Sequence, residues 1–369
     1  MPNPEFSASL DQPVNAPGEV TGYSAGLTWD ISSLIRNGAA RDIARAQAAS
    51  VDLDIAWREW QIAQAAKIGI YRRLGLEARL ALAREVKRSL TDNLTRIRAA
   101  AEERLQTALN VAAAETAAQE AHTTVLKLQR DLDKETLSLN QVMGLPADAR
   151  VTLQPDTVLP YHLNIPSGEV LLQGLEERRL DLAALKRGYD SQEAAVRAAV
   201  LNQFPRVNIG IAHNRDTGDF FLWSPALTID LPVFDRNQAA IAQEKATRQI
   251  LFDEYVNRVF EARSELATLL AEVEAVQRQI SAAQNALPIL EQLARTYQIA
   301  FNSGNADVLS LYAAQNDLSK KRIEALELKQ ELAELGVGLE LVTGLYLQNE
   351  SGGPALSSGN NRSDSSREK

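Results

Sequence analysis

Four segments of the chain alternate apolar and polar residues with a period of two. This period predicts β-strands that have one apolar and one polar face. The predicted strands are residues 5–12, 20–31, 206–214 and 220–231. The polar faces carry small residues together with Thr28, Asp30, Thr228 and Asp230. These four residues are the candidates to face the lumen if the strands form part of a barrel. The apolar faces carry the aromatic residues Tyr23, Trp29 and Trp223.

Long segments between the strand pairs are rich in alanine, leucine, glutamate and arginine, which favours helices. The predicted helices are residues 34–102, 105–144, 235–301 and 306–345, with two more within 167–202, at about 167–175 and 180–202. The proline-containing segment 146–166 connects them, and the low-complexity tail 349–369 is expected to be disordered. A helix of about 65 residues spans on the order of 100 Å and needs partners along its length, so a coiled coil or a helical barrel is predicted.

The chain repeats itself with an offset of 200 residues. The stretch that begins L-T-W-D at Leu27 returns as L-T-I-D at Leu227. In the same alignment, Arg36 and Asn37 match the identical residues Arg236 and Asn237. A repeat of this length predicts two copies of one unit, residues 1–145 and 146–348.

Composition excludes several classes of function. The net charge of −9 makes nucleic acid an unsuitable partner, and the absence of cysteine removes thiolate chemistry. The three histidines lack metal-ligand spacing, and no phosphate-binding loop or nucleophile motif occurs. We therefore expect no catalytic residue, metal or cofactor, and no enzymatic activity. No apolar stretch is long enough for a transmembrane helix, and Met1 is not followed by a signal peptide.

Four strands cannot close a barrel on their own. If the strands face lipid, their edges must pair with other copies of the chain, and three copies would supply twelve strands. The aromatic residues would then lie at the membrane–water boundary. In the alternative, the strands form a small sheet that packs on the helices of a soluble protein. The residue pattern alone leaves both possibilities open.

Several motifs occur together in a fixed order: N-P-E-F-S at 3–7, R-L-D-L-A-A-L-K at 179–186, N-Q-F-P-R-V-N-I at 202–209, I-D-L-P-V-F-D at 229–235 and G-N-A-D-V-L-S-L-Y-A-A-Q at 304–315. With the repeat, this set resembles the TolC-type outer membrane efflux protein family over about residues 3–345. The opening N-P-E is similar to the branch that serves heavy-metal and related tripartite pumps.

The resemblance implies a mainly helical fold with membrane β-structure: a homotrimer with a 12-stranded β-barrel in the outer membrane and an α-helical barrel in the periplasm. It implies a passive export channel for small molecules or metal ions that works with a periplasmic adaptor and an inner-membrane pump of RND type. The adaptor would dock at two helix tips, whose residues are Glu102, Glu103, Arg104, Leu105, Asn302, Ser303, Gly304, Asn305 and Asp307. The alternative function is a periplasmic coiled-coil structural or adaptor protein without a pore.

The sequence also departs from the family pattern. The tip glycine is present as Gly304, but its repeat mate is Arg104. The two tip aspartates of the family fall on Ser310 and Ala313, so Asp307 is the nearest candidate for charge at the entrance. The family has a signal sequence and helices before the first strand, so we expect this chain to be truncated at its N-terminus.

Overall fold

The computed structural model describes residues 3–14, 20–153 and 157–347. The predicted tail 349–369 lies outside these residues. The strands are β1 (Glu5–Asp11), β2 (Gly22–Asp30), β3 (Arg206–Arg215) and β4 (Phe221–Asp230). The helices are α1 (Ser33–Glu102), α2 (Ala108–Val142), α3 (Gly168–Leu172), α4 (Leu175–Arg178), α5 (Leu180–Leu201), α6 (Gln238–Asn302) and α7 (Val308–Thr343). The chain is therefore mostly helical with one four-stranded sheet, as predicted.

Several predicted helix bounds differ from the structure. The segment 167–202 forms three helices instead of two, because Gly174, with a φ of +70°, adds a break before the one at the extended residue Arg179. Helix α2 begins at Ala108 instead of residue 105, because the left-handed Arg104 and the extended cap residue Thr107 precede it. Helix α6 begins at Gln238 instead of residue 235, because Asn237 has a φ of +58°, which a right-handed helix cannot contain.

The sheet has the order β1-β2-β3-β4, and each neighbouring pair is antiparallel. Its register places Leu27 opposite Phe6 on one side and Ile211 on the other. Because side chains alternate along a strand, this register puts the apolar residues of all four strands on one face. Strands β1 and β4 are the two edges of the sheet.

The chain forms two compact units. The first unit comprises residues 1–58 and 176–262, and the second comprises residues 59–175 and 263–369. Each unit therefore contains parts of both predicted repeats, because residues that are far apart in the sequence pack together.

The second unit contains a large apolar cluster, in which Leu266, Leu332 and Leu339 are almost fully buried. Beside it, three ion pairs join α1 to α7: Lys67–Glu340 at 2.6 Å, Arg72–Glu334 at 2.7 Å and Arg79–Glu327 at 2.9 Å. Residue numbers rise along one helix as they fall along the other, so the two segments are antiparallel. We call these three pairs the ion-pair ladder.

Helices α1 and α6 are long, but none of the described helices contains an apolar stretch that is long enough to cross a bilayer.

Candidate functional site

The apolar face of the sheet is exposed to solvent in the protomer. Large side chains on all four strands contribute to it: Phe6, Leu10, Leu27, Ile209, Ile211, Phe221, Trp223, Leu227 and Ile229 are all exposed. A contiguous apolar surface of this kind marks a site of contact with a membrane or another protein.

The three aromatic residues predicted for the membrane boundary lie on this face, but at different heights. Trp29 lies opposite Ile209, at the end of the sheet where the long helices begin. Tyr23 lies near the opposite end, where its ring is 5.9 Å from that of His213. The centroid of the Trp223 ring is 4.8 Å from that of the His213 ring. The sheet therefore carries aromatic side chains toward both ends of its apolar surface.

The other face of the sheet is polar and carries small residues. Ser24 Oγ donates a hydrogen bond to Asn214 Oδ1, and Asn214 Nδ2 donates one to Ser224 Oγ at 2.9 Å. Each bond joins neighbouring strands, so three strands are connected by side chains on this face.

The four candidate lumen residues lie on this polar face. Asp30 and Thr228 are both paired with Asn208, which lies between them on β3. Thr28 lies opposite Gly210, and Asp230 lies opposite Arg206. The register therefore brings Asp30 and Thr228 to the same level of the sheet, with Thr28 and Asp230 at neighbouring levels.

Asp30 also connects strand β2 to helix α1. Its carboxylate accepts hydrogen bonds from Ser32 Oγ at 2.5 Å and Ser33 N at 3.2 Å, and from Arg36 Nη2 at 2.8 Å. A carboxylate that accepts a backbone N–H in the first helical turn acts as a helix cap. This capping role was not predicted, although an aspartate three residues before a helix is a recognisable signal.

The second junction is built differently, although its sequence repeats that of the first. Here Asp235 Oδ1 accepts a hydrogen bond from Asn237 N at 2.8 Å, and Asn237 Nδ2 donates one to Ala199 O at 2.9 Å. Asp230 itself is exposed. The two repeat mates, Asp30 and Asp230, therefore have different surroundings.

The two helix tips, in contrast, have the same backbone geometry. In the first, Leu105 N donates to Ala100 O at 2.8 Å and Arg104 N donates to Ala101 O at 3.0 Å. In the second, Asn305 N donates to Ala300 O and Gly304 N donates to Phe301 O, at the same two distances. This pair of bonds defines a Schellman motif, in which one residue takes the left-handed conformation. Arg104 has a φ of +62° and Gly304 a φ of +73°.

The caps of the helices that follow are also equivalent. Thr107 Oγ1 accepts a hydrogen bond from Asn110 N at 3.2 Å, and Asp307 Oδ1 accepts one from Ser310 N at 2.6 Å. The hydrogen bonds from the backbone and side chain of Ser310 hold the pKa of Asp307 below its ordinary value. Asp307 is therefore ionised at neutral pH, but its carboxylate serves as a helix cap.

All nine predicted tip residues are exposed. Behind them, a small apolar cluster connects the two tips, since Ile97, Ala114, Val308 and Phe301 come from four different helices. The structure therefore brings the two tips of the second unit together over a shared apolar cluster.

A buried charged group in the first unit was not predicted. The Arg179 guanidinium, which is 2 % exposed, donates two hydrogen bonds to Asp181, and Arg258 Nε donates a third at 3.1 Å. Arg179 also lies over the ring of Trp57 at 5.3 Å. Burial alone would raise the pKa of Asp181, but the two arginines outweigh it and keep that pKa below its ordinary value.

Among the described residues, no group of histidine, aspartate and glutamate side chains could hold a metal ion.

The chain is similar to known proteins in sequence and in fold. The family profile named "Outer membrane efflux protein" matches residues 171–345, which include strands β3 and β4, helices α6 and α7 and the second tip. Residues 171–345 belong to the outer membrane efflux protein family. The resemblance seen in the sequence is thereby confirmed. Among curated proteins, no sequence matches this chain.

Solved structures extend the likeness of the fold to most of the chain. A membrane protein from Pseudomonas aeruginosa is 20% identical with a TM-score of 0.79, over 93% of this chain and 84% of that one. The outer membrane protein VceC from Vibrio cholerae is 16% identical with a TM-score of 0.76, over 93% and 86%. The open state of the Neisseria gonorrhoeae MtrE outer membrane channel is 17% identical with a TM-score of 0.74, over 93% and 80%.

Proposed function

We propose that this protein is the outer membrane channel of a tripartite efflux pump, a passive duct for small molecules or metal ions. The observation that carries the proposal is the sheet: its apolar face is exposed on all four strands, its other face is polar, and both of its edge strands are available for pairing. A sheet in a soluble protein would bury such a face against helices. The likeness of the fold to outer membrane channels supports the same reading.

The sheet is suited to closure by copies of the same chain. Because β1 and β4 run in opposite directions, β4 of one copy can pair with β1 of the next without breaking the antiparallel pattern. Three copies of four strands give twelve, an even number within the range of outer membrane barrels. A strand of 10 residues such as β3 is about 33 Å long and, at the usual tilt, rises about 25 Å, the height of the apolar band of such barrels.

In this homotrimer the polar face lines the lumen, with Thr28, Asp30, Thr228 and Asp230, and the apolar face meets lipid. Tyr23, Trp29 and Trp223 lie at the membrane–water boundaries. The helices form the periplasmic wall, and the two tips bind a periplasmic adaptor that connects the channel to an inner-membrane pump of RND type. The exposed tip residues and the apolar cluster that supports them favour docking at this point.

The proposal is tested by expressing the chain with an added export signal and fractionating the cell envelope. We expect a heat-sensitive trimer in the outer membrane fraction that conducts ions when reconstituted into planar bilayers. Replacement of Asp30 or Asp230 by leucine should change the conductance. A soluble monomer in the periplasmic fraction would refute the channel and favour the coiled-coil adaptor.

A further inference from the structure

The apolar face of the sheet carries most of its polar groups at one end. The register of the strands forms rows across this face, and the two rows farthest from the long helices are Leu10–Tyr23–Arg215–Phe221 and Ala8–Ala25–His213–Trp223. The next row contains only apolar residues: Phe6, Leu27, Ile211 and Pro225. A phenol, a guanidinium, an imidazole and an indole are therefore collected in two adjacent rows.

Arg215 is the only lysine or arginine on this face within the four described strands. A cation on the lipid-facing surface of a barrel is costly at the bilayer centre and is tolerated near the membrane–water boundary. The row at the other end, Trp29–Ile209–Leu227, carries no cation. Because the helices of the proposed channel extend into the periplasm, the end that carries Arg215 lies at the outer leaflet.

Neighbouring side chains hold the Arg215 guanidinium on one edge. Its Nε donates a hydrogen bond to Asp219 Oδ1 at 2.7 Å, and its Nη2 lies at the same distance from that oxygen. The guanidinium also lies 5.6 Å from the centre of the Phe221 ring. Its Nη1 makes no hydrogen bond to any residue that the structure describes, and the side chain is 30% exposed. The group is therefore oriented, and it still has donors for a phosphate or a carboxylate.

Aromatic rings surround this cation on the same face. The His213 ring lies 5.9 Å from the Tyr23 ring, 6.1 Å from the Phe221 ring and 4.8 Å from the Trp223 ring. Phe221 and Trp223 are both exposed in the protomer. Rings that combine an apolar body with a polar edge favour the membrane–water boundary, where lipid head groups lie.

The turn that follows Arg215 is ordered by its own hydrogen bonds. Asp216 Oδ1 accepts bonds from Gly218 N at 2.9 Å and Phe220 N at 3.0 Å, so this carboxylate is occupied by the turn. Asp219 is the carboxylate that contacts Arg215, and it is the group with which a bound anion must compete.

We propose that Arg215 binds the phosphate of an anionic lipid in the outer leaflet. The acyl chains of this lipid lie on the apolar rows below, and Tyr23, His213 and Trp223 surround its head group. The inference rests on the proposed outer membrane channel and adds the class of lipid that the sheet binds. Since Asp219 shares the guanidinium with the phosphate, removal of its charge should increase the affinity for the lipid.

The experiment uses the full chain with an added export signal, purified as the trimer in mild detergent. Native mass spectrometry counts the lipids that the trimer retains. The probes are dimyristoylphosphatidylglycerol and dimyristoylglycerol, which has the same acyl chains but no phosphate. One arginine near an anionic lipid surface contributes about a fivefold gain in binding, so Arg215→Gln should weaken phosphatidylglycerol binding about fivefold. Binding of dimyristoylglycerol should not change.

Asp219→Asn tests the same contact with the opposite sign and does not require the Arg215 variant to assemble. Asp219 has a φ of +68°, a conformation that asparagine also adopts, so the turn is preserved. This variant should bind phosphatidylglycerol more tightly than the wild-type protein. The matched control is Arg206→Gln, which removes a cation from the polar face at the other end of the same strand and should leave lipid binding unchanged.

The results separate the lipid contact from the function on which it rests. A soluble wild-type monomer would overturn the channel and the contact together. A conducting trimer that retains both lipids equally, or whose Arg215→Gln and Asp219→Asn variants bind phosphatidylglycerol like the wild type, would overturn the contact alone. Inorganic phosphate at the same concentration as the lipid should not displace it, and displacement would identify a site for free anions instead.

Discussion

The two helix tips offer an exchange experiment on one residue pair. Arg104 and Gly304 occupy the same position of two Schellman motifs with the same hydrogen bonds, 200 residues apart. Glycine adopts a positive φ readily, whereas arginine must bring its Cβ close to the following carbonyl oxygen. We predict that Arg104→Gly stabilises the first tip and that Gly304→Arg destabilises the second.

The magnitude follows from two opposing terms. A left-handed conformation costs an L-residue about 1–2 kcal/mol. The greater freedom of glycine in the unfolded chain offsets about 0.4–1 kcal/mol of this cost. A Cβ placed on Gly304 would meet no atom within 4 Å, so no steric clash is added. We therefore expect a net change of about 1 kcal/mol at each tip, with opposite signs.

Hydrogen exchange followed by mass spectrometry measures this change locally, in peptides that cover residues 99–107 and 299–307. When amides exchange through local opening, about 1 kcal/mol corresponds to about a fivefold change in rate. Exchange should slow at the first tip in Arg104→Gly and accelerate at the second tip in Gly304→Arg, while each unmutated tip serves as the control. If both substitutions changed the exchange rate in the same direction, or if neither changed it, the proposed strain at Arg104 would be refuted.

Three further variants test other contacts by denaturant or thermal unfolding. Thr107→Ala removes a helix cap and should cost about 1 kcal/mol, and an unchanged free energy of unfolding would contradict this role. Lys67→Met leaves the buried carboxylate of Glu340 unpaired and should cost about 3 kcal/mol, most of which should return when Glu340→Leu is added. Asp181→Asn should cost about 3 kcal/mol because it removes the buried carboxylate that pairs with Arg179 and Arg258. Because the folded-state pKa of Asp181 is lowered, its contribution is fully present above about pH 4 and is lost as the pH falls through the folded-state pKa. The wild-type protein should therefore lose more stability than Asp181→Asn on acidification, and parallel pH profiles would contradict the assignment.

The strands and their faces could be predicted from the sequence because both depend on local alternation. Once Trp29 and Leu27 are assigned to one face, Thr28 and Asp30 must lie on the other, and the register of the sheet agrees. The second helix tip was predictable for a similar reason, since Gly304 is a local signal for the end of a helix.

The remaining features depend on contacts that are distant in the sequence. Nothing in the stretch around Asn237 shows that its side chain binds the carbonyl of Ala199, so the later start of α6 was missed. The partners of Asp181 include Arg258, which is 77 residues away and belongs to another helix. The ion-pair ladder joins residues that are more than 240 positions apart, where charge pattern alone does not identify partners.

The ladder limits how the length of the helices can change. An insertion of one residue between Lys67 and Arg79 would rotate everything beyond it by about 100° and turn Arg79 away from Glu327. Only insertions of about seven residues, which return a helix to nearly the same face, would keep the pairs aligned, and only if α7 gained the same length. Variants of this protein should therefore differ by substitution within helices of fixed length, with insertions confined to the connecting loops.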